Sequence, residues 1–455
     1  MTLASTDPGL LCGSEGYQRC AKIFGEAGTV DAYLQFEAAL AEVQGRLGVI
    51  PGQAVAPIRA ACDQGKLDLA KLRTGSLAVG YPIAPLVAMI ADAAGPHGQW
   101  VHYGATTQDV MDTGMVLQLR QALSGVLNDL DRTAHLLADL CAAHRRTPIA
   151  GRSKLQHGVP VSFGYKVAVW LDQILRARDG LSEALSRAEV LQFGGAVGSL
   201  AALQGHGMAV RRDLAAALSL REPDISWHVS RDRMVALASA VAALVAALAK
   251  MASDIAHLMS TEVGELLEPA AEGRGSSSTM PQKRNPVICE AILEAARDTR
   301  HVPTVVLEGM LQEHERGIGH GYRERTALCR AVQQLAGAVT LTNELVSGLE
   351  VNAPRMARNL DMTQGLIHAE AVMMQLSERL GRLKAHDILH RVSHRVASTG
   401  TRFEEALTVE ARASLPAQAD ILAQQIEYAQ DMIDLVLARI DTPESRPERA
   451  RVAVD

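Results

Sequence analysis

The segment between Gly275 and Pro286 contains the residues best suited to carry out chemistry. It reads Gly-Ser-Ser-Ser-Thr-Met-Pro-Gln-Lys-Arg-Asn-Pro. Serine hydroxyls compete for backbone hydrogen bonds, so three consecutive serines predict a loop. Lys283 and Asn285 follow closely, and Pro286 is expected to block immediate helix continuation. A cation and an amide donor behind a cluster of hydroxyls would suit an anionic substrate, whereas the serines alone would be typical of a flexible connector.

The complete pattern resembles the signature loop of the fumarase/aspartase superfamily, Ser-Ser-x-Met-Pro-x-Lys-x-Asn. The matching residues are Ser277, Ser278, Met280, Pro281, Lys283 and Asn285. The resemblance implies that Ser277 is the base that removes a proton beside a carboxylate, and that Lys283 and Asn285 hold the resulting aci-carboxylate. It also implies that Ser278 and Met280 contact substrate. A serine can act as a base only where cations, N–H donors and exclusion of water favour its alkoxide.

A second candidate segment runs from His102 to Thr113, where Gly104 marks a turn before a long apolar-periodic stretch. Hydroxyls and carboxylates at this point are typical of a helix N-cap, and a helix N-terminus can also bind a carboxylate. The segment resembles the superfamily's first signature region, Gly-x-Thr-Ser-x-Asp-x-x-Asp-Thr. This implies that Thr106 and Thr107 contact a substrate carboxylate, with His102 at the pocket wall. Asp109 and Asp112 are interpreted as residues that brace the helix start and the loop.

A third segment, Gly-Arg-Ser-Lys-Leu-Gln-His from residue 151 to 157, partly resembles the second signature region, Gly-Arg-Thr-His-x-Gln. Ser153 and Gln156 match as substrate-binding residues, but Lys154 stands where lyases that release ammonia or amines, and fumarases, carry a general-acid histidine. An amine or hydroxide needs a proton to depart, whereas a carboxylate, with a pKa of about 4, can leave unprotonated. Lys154 therefore favours a carboxylate leaving group, as in the opening of a muconolactone ring. His157 could replace the missing acid by another path, but a lone histidine is more often structural.

The charged segment 314–325 leaves two enzyme classes open. Arg316 and Arg325 are candidate carboxylate partners because a guanidinium can pair bidentately with a carboxylate. A solvated helix face is the simpler interpretation of such a charge run. His320, Glu324 and Arg325 resemble adenylosuccinate lyase. Other stretches resemble the 3-carboxy-cis,cis-muconate cycloisomerases, namely residues 34–51, 226–233 and 365–374.

Composition limits the other functional classes. The net charge of −6, the pI near 6.2 and the absence of a basic run argue against nucleic-acid binding. Six cysteines without Cys-x-x-Cys spacing fit free thiols in a reducing cytoplasm, and the first residues lack the features of a signal peptide. His386, His390 and His394 share one helix face without the acid that would complete a zincin pattern. We expect no metal and no cofactor.

Periodicity predicts long helices. Tyr17–Leu47 and Asp224–Glu268 each read as one helix, and the charge-free run 234–249 inside the second indicates burial among other helices rather than a membrane span. We expect an all-α fold with an N-terminal domain (1–112), a central bundle (113–350, with the signature loop at 273–286) and a C-terminal domain (351–455). The resemblance implies a homotetramer whose active sites draw on three chains.

The expected function is cofactor-independent elimination or cyclisation of a small di- or tricarboxylate, nearest to the 3-carboxymuconate cycloisomerases. The first alternative is a carbon–nitrogen lyase that releases fumarate, of the adenylosuccinate or argininosuccinate type. The second is a catalytically silent paralogue, against which the complete set of Ser277, Lys283 and Asn285 argues.

Overall fold

The computed structural model describes residues 9–63, 65, 67–271, 273–276, 279–319, 321–407 and 418–441, and their fold is mainly helical, as predicted. The helices are α1 (Leu10–Gly13), α2 (Glu15–Phe24), α3 (Glu26–Arg46), α4 (Val55–Ala61), α5 (Leu69–Val79), α6 (Ile83–Ala94), α7 (Thr107–Ala143), α8 (Phe163–Ala188), α9 (Gly207–Ala217), α10 (Asp232–Leu258), α11 (Val287–Thr299), α12 (Val302–Glu308), α13 (Gly321–Ser347), α14 (Ala353–Leu360), α15 (Ala369–Leu380), α16 (Arg382–Thr399), α17 (Phe403–Ala406), α18 (Gln418–Glu427) and α19 (Gln430–Asp441).

Four short strands form two antiparallel pairs within this helical fold. They are β1 (Pro148–Ser153), β2 (Gln156–Ser162), β3 (Leu266–Leu267) and β4 (Glu350–Val351). β1 pairs with β2 as a hairpin, and β3 pairs with β4. Periodicity did not predict them because each pair is short and its partner residues lie elsewhere in the chain or across a tight turn.

The prediction of one helix over Asp224–Glu268 is wrong at both ends. The 27 residues of α10 span about 40 Å at 1.5 Å per residue. The segment before it is held outside a helix because the Trp227 amide donates to Gln192 Oε1 at 2.8 Å. After Leu258 the chain turns, and Gly264 adopts a φ of +60°.

The predicted helix over Tyr17–Leu47 is also divided. Gly25 is extended, with φ −67° and ψ 174°, and separates α2 from α3. The two helices then approach closely, since a Cβ at Gly28 would lie 2.3 Å from the Ile23 carbonyl oxygen. Both glycines therefore serve the break between the helices.

Among the described residues, α10 is long and apolar enough to cross a membrane by length and composition alone. More than half of its most apolar window is buried within the chain, as in a core helix of a soluble protein. Its other faces contain small residues such as Ser239, Ala243 and Ala246, which are exposed in the single chain.

Contacts divide the chain into two units, each with its own core. Unit 1 comprises Met1–Leu130, Ala177–Leu248 and Ala291–Leu341, and unit 2 comprises Asp131–Arg176, Ala249–Glu290 and Thr342–Asp455. In unit 1, Phe36 and Phe193 pack with ring centroids 6.4 Å apart. In unit 2, Phe163 packs edge-on against Trp170 at 6.1 Å. α7 begins at Thr107 and continues past residue 112, and the division into three domains stays a prediction.

Candidate active site

In unit 1, the turn from His102 to Thr106 leads into the N-terminus of α7. Gly104 adopts a φ of +75°, which favours glycine. The Thr106 amide donates to Asp109 Oδ2 at 3.0 Å, so the acid in the first helical turn reaches back to brace the turn before it. Thr107 is the first residue of α7. Both threonines therefore lie at a helix N-terminus, where backbone N–H groups lack intrahelical acceptors and favour anions.

Arg316 lies against this helix end. Its Nη1 donates to Thr106 Oγ1 at 2.8 Å, and its Nε donates to Gln108 Oε1 at 3.3 Å. The Arg316 side chain remains exposed. A guanidinium beside a helix N-terminus is a suitable carboxylate site, and the fold assembles it from residues 210 positions apart.

Asp109 connects this turn to a glycine-rich segment. Its side chain is 0% exposed and accepts from the amides of Gly194 at 3.0 Å and Gly195 at 2.9 Å, and it lies 2.8 Å from His228 Nε2. Gly195 adopts a φ of +72°, and a Cβ at Gly194 would lie 2.7 Å from Ser226 Oγ. The amides of these two glycines thus serve as donors to the buried Asp109 carboxylate.

A buried ion cluster fixes the elements around the turn. Arg231 is 2% exposed and donates to both oxygens of Asp112 at 2.9 and 3.0 Å and to Glu324 at 2.5 to 3.2 Å. Its guanidinium also lies 4.9 Å from the centre of the Trp227 ring. Burial opposes its charge, but Asp112 and Glu324 outweigh burial and raise the pKa of Arg231. α7, α13 and the segment before α10 are thereby joined.

His102 adopts a positive φ of 60° and pairs with Glu37 of α3. Its Nδ1 lies 2.6 Å from Glu37 Oε1. Burial would lower the pKa of His102, but the charge and hydrogen bond of Glu37, together with Asp109, raise it overall. His102 is therefore biased toward its cationic form.

In unit 2, the second signature region forms the β1–β2 hairpin. Ser153 pairs with Gln156, and the two residues between them, Lys154 and Leu155, have φ values of 51° and 65°. Two positive φ angles at a two-residue turn match the twist of a hairpin but strain non-glycine residues. Ser153, Lys154 and Gln156 are all exposed at this tip in the single chain. The hairpin therefore presents three predicted substrate-binding residues outward.

His157 follows the tip and is half-buried. Its Nδ1 has no hydrogen-bond partner among the described residues. Burial, followed by the charge of Arg152, lowers its pKa. Arg152 is itself paired with both oxygens of the buried Glu265, at 2.7 and 2.9 Å. A neutral His157 is a poor proton donor, so an acid role for it gains no support from its surroundings.

The described parts of the signature loop lie in unit 2 and are joined at their base. The Asn285 amide and its side-chain Nδ2 both donate to the Gly275 carbonyl, at 2.9 and 3.0 Å. Ser276 and Arg284 form an antiparallel bridge, while Lys283 and Met280 are exposed. Asn285, predicted to hold the aci-carboxylate, therefore joins the two ends of the loop.

No helix continues through Pro286, and a new helix begins directly after it. α11 begins at the next residue, Val287, because proline is tolerated just before and within the first turn, where an N–H has no acceptor. The buried Glu268 carboxylate caps this helix and accepts from the amides of Ile288 and Cys289 at 3.0 and 2.7 Å.

Three predicted residues, Ser277, Ser278 and His320, lie outside the described residues. Arg325 is described, and its guanidinium donates to the Tyr33 hydroxyl at 2.5 Å and to Gln118 at 2.9 Å. These contacts do not bring it to Thr106 or Arg316. Its role in substrate binding stays a prediction.

The sequence did not indicate the polar side chains that support the turn, namely Glu37, His228, Arg231 and the ion pair that Glu324 forms with Arg231. They lie far apart in the chain, and each alone resembles an ordinary charged residue of a helix or loop. Nothing in the local sequence distinguishes Arg231 or Glu324, because each stands directly beside other charged residues, in Arg231-Asp-Arg233 and in Arg323-Glu-Arg325.

Among the described residues, no three histidine, cysteine, aspartate or glutamate side chains are grouped so that they could hold a metal ion. The arrangement instead offers a helix N-terminus with an arginine, a hairpin tip with a lysine and a serine-rich loop with a lysine. These are donors and cations suited to carboxylates, and they lie at the three signature regions. Together with the sequence matches below, they define a lyase of the fumarase/aspartase superfamily, and the chain belongs to that family.

The family model described as "Lyase" matches residues 17–299. The chain is 41% identical to 3-carboxy-cis,cis-muconate cycloisomerase of Pseudomonas aeruginosa over 90% of each chain. It is 38% identical to trans-aconitate decarboxylase 1 of Mycosarcoma maydis over 85% of this chain and 78% of that one. The crystal structure of 3-carboxy-cis,cis-muconate lactonizing enzyme from Pseudomonas putida superposes with a TM-score of 0.87 at 37% identity, covering 93% of this chain and 97% of the other. These relatives are enzymes, which favours catalysis over the silent-paralogue alternative.

Proposed function

We propose that this enzyme is a cycloisomerase that interconverts a 3-carboxymuconate and its lactone. The observation that carries the proposal is the presence of Lys154 at the hairpin tip. Superfamily members whose substrates have poor leaving groups carry a general-acid histidine at this position. The similarity to the Pseudomonas aeruginosa cycloisomerase along 90% of the chain supports the same substrate class.

In the direction of ring opening, the Ser277 alkoxide takes the proton from the carbon beside a carboxylate. The resulting electron pair forms the carbon–carbon double bond, and the lactone carbon–oxygen bond breaks. The ring oxygen leaves as a carboxylate, with a pKa of about 4, and needs no proton donor. In cyclisation, the carboxylate oxygen adds to the double bond and Ser277 returns the proton.

The other residues are assigned roles according to the negative charges of the substrate that they would bind. Lys283 and Asn285 stabilise the aci-carboxylate, where each well-placed donor contributes roughly 3 to 4 kcal/mol. Thr106, Thr107 and Arg316 bind a second carboxylate at the start of α7. The remaining proposed contacts to substrate are His102, Ser153, Lys154, Gln156, His157, Ser278, Met280, His320 and Arg325.

The proposal extends to assembly and location. The exposed hairpin tip fits a homotetramer in which each active site draws on three chains, and burial of the exposed small residues of α10 fits the same assembly. Three domains, at 1–112, 113–350 and 351–455, are proposed for each chain. A cytoplasmic location is consistent with six cysteines that form no disulfide among the described residues.

A substrate panel tests this function. Purified enzyme is expected to consume 3-carboxymuconate, followed by its ultraviolet absorbance, and to release no fumarate from adenylosuccinate. Trans-aconitate is included because one relative is named as a decarboxylase of that acid. Fumarate release from adenylosuccinate with no conversion of 3-carboxymuconate would transfer the assignment to the carbon–nitrogen lyases.

A further inference from the structure

The pair of Glu37 and His102 is buried on one side only. The Glu37 side chain is 0% exposed, whereas that of His102 is 18% exposed, and the atoms that join them are 2.6 Å apart. Gln44, two turns further along α3, donates to the Tyr103 carbonyl at 2.7 Å. α3 therefore holds both the side chain of His102 and the backbone of the next residue, and His102 is the member of the pair that solvent can reach.

The second carboxylate oxygen of Glu37 indicates that this residue needs a positively charged partner. Glu37 Oε2 is buried and has no hydrogen-bond partner among the described residues. Removing an ionised carboxylate from water costs several kcal/mol, and a nearby positive charge can offset that cost. With one hydrogen bond in place of several, Glu37 needs that compensation from His102 itself.

The charged groups around His102 also favour its protonated form. Two carboxylates act on its imidazole, Glu37 from α3 and Asp109 from α7, and they outweigh burial so that the pKa of His102 is raised. The nearby Cys62 thiol does not compete as a charge, because burial and Glu37 raise its pKa to about 12. The 2.6 Å contact and the direction of this pKa shift therefore both favour an imidazolium as the partner of Glu37.

We propose that Glu37 is a positioning residue that holds His102 as an imidazolium, with Nδ1–H donating to Glu37 and Nε2–H available to a substrate carboxylate. The inference rests on the proposed function in placing His102 beside the substrate. It adds a fixed cation to the donors at the start of α7, where Thr106 and Arg316 already lie together.

The first test is the pH dependence of kcat/KM in Glu37→Gln, which keeps the shape but removes the charge. A charge-assisted hydrogen bond is expected to be lost, so KM should rise about tenfold with a smaller change in kcat. The alkaline limb of kcat/KM, which reports the free enzyme, should move to lower pH by about one unit or more. A uniform loss of activity at every pH, with the alkaline limb unmoved, would overturn the proposal.

Glu42→Gln is the matched control, because Glu42 lies on the same helix and pairs at the surface with Arg59 at 3.0 Å. It undergoes the same chemical change and should leave both KM and the alkaline limb unaltered. If the alkaline limb of kcat/KM shifted equally in Glu42→Gln and in Glu37→Gln, loss of any carboxylate from α3 would have the same effect. That result would contradict the specific role of Glu37.

A direct titration separates this inference from the assignment of substrate. In wild-type enzyme labelled with ring-13C histidine, the His102 signal is identified by its loss in His102→Gln. It should titrate above the ordinary histidine pKa of about 6.5. Titration below that value would mean that Glu37 does not stabilise the imidazolium and would overturn the inference, whichever substrate the enzyme turns over. If His102 titrates as expected but 3-carboxymuconate is not converted, the proposed function would be contradicted and this inference would not.

Discussion

At the scale of single residues, the candidate site depends on a few buried charges whose partners are remote in sequence. Asp109 is the clearest example, since it accepts from amides about 85 residues away and from the turn that precedes its own helix. A short acidic side chain can thus brace both the Thr106 turn and the glycine segment. Among the described residues that would touch substrate, those of the hairpin tip and the signature-loop lysine are exposed in the single chain, whereas His102, Thr106 and Thr107 are half-buried.

Ser277→Ala tests the proposed base. Turnover is expected to fall by several orders of magnitude while the protein stays folded, because alanine cannot accept the proton. Turnover is measured by ultraviolet absorbance and folding by circular dichroism. Ser276→Ala is the matched control, since the Ser276 hydroxyl donates to the Gly273 carbonyl at 2.8 Å within the loop. Near wild-type turnover in Ser277→Ala would refute the assignment.

His102 also predicts a pH-dependent stability. Its pKa is raised in the folded state, so its contribution is fully present below the unfolded-state pKa of about 6.5 and is lost as pH rises through the folded-state value. The difference in unfolding free energy between wild type and His102→Gln, measured in urea, should therefore shrink with rising pH. A difference that grows with pH would contradict the raised pKa.

At the scale of elements, the ion cluster around Arg231 joins three parts of unit 1. Asp112 lies on α7, Glu324 lies on α13, and Arg231 immediately precedes α10. Because two carboxylates share one guanidinium, the cluster is stable only while Arg231 is present. The first turns of α7 and α13 are held together by this arrangement.

Arg231→Leu is expected to lower the unfolding free energy by about 3 to 5 kcal/mol, because it leaves two buried carboxylates without a cation. Urea unfolding followed by circular dichroism measures the change. Arg323→Leu is the control, since Arg323 pairs with Glu308 at the surface at 2.6 Å and should cost about 1 kcal/mol or less. Equal losses in the two variants would show that burial of the cluster adds nothing.

At the scale of the whole molecule, the proposed assembly depends on faces that are exposed in the single chain. Ser153, Lys154 and Gln156 extend from the hairpin, and small residues cover the exposed faces of α10. Helices with small side chains can approach closely, so further copies of the chain could cover these faces. The proposed homotetramer would bury them.

Light scattering after size exclusion should give four times the chain mass of 48.6 kDa. Ala243→Glu places an unpaired charge on the exposed face of α10 and should reduce the mass and the activity together. Ala243→Ser keeps the residue small and should preserve the tetramer. A full tetramer in Ala243→Glu would exclude this face from the interface.

The sequence by itself determined the superfamily, the helical class and the positions of the three signature regions, because each of those signals is local. Long apolar periodicity indicates helices wherever it occurs, and the Met280–Asn285 pattern lies within a few residues. Only the tertiary structure revealed that Gly25 divides a helix, that Lys154 lies at a strained hairpin tip and that Arg231 and Glu37 support the candidate site. The partners of Arg231 and Glu37 lie far away in the sequence, and a charge acquires its role from the partner and the burial that folding provides.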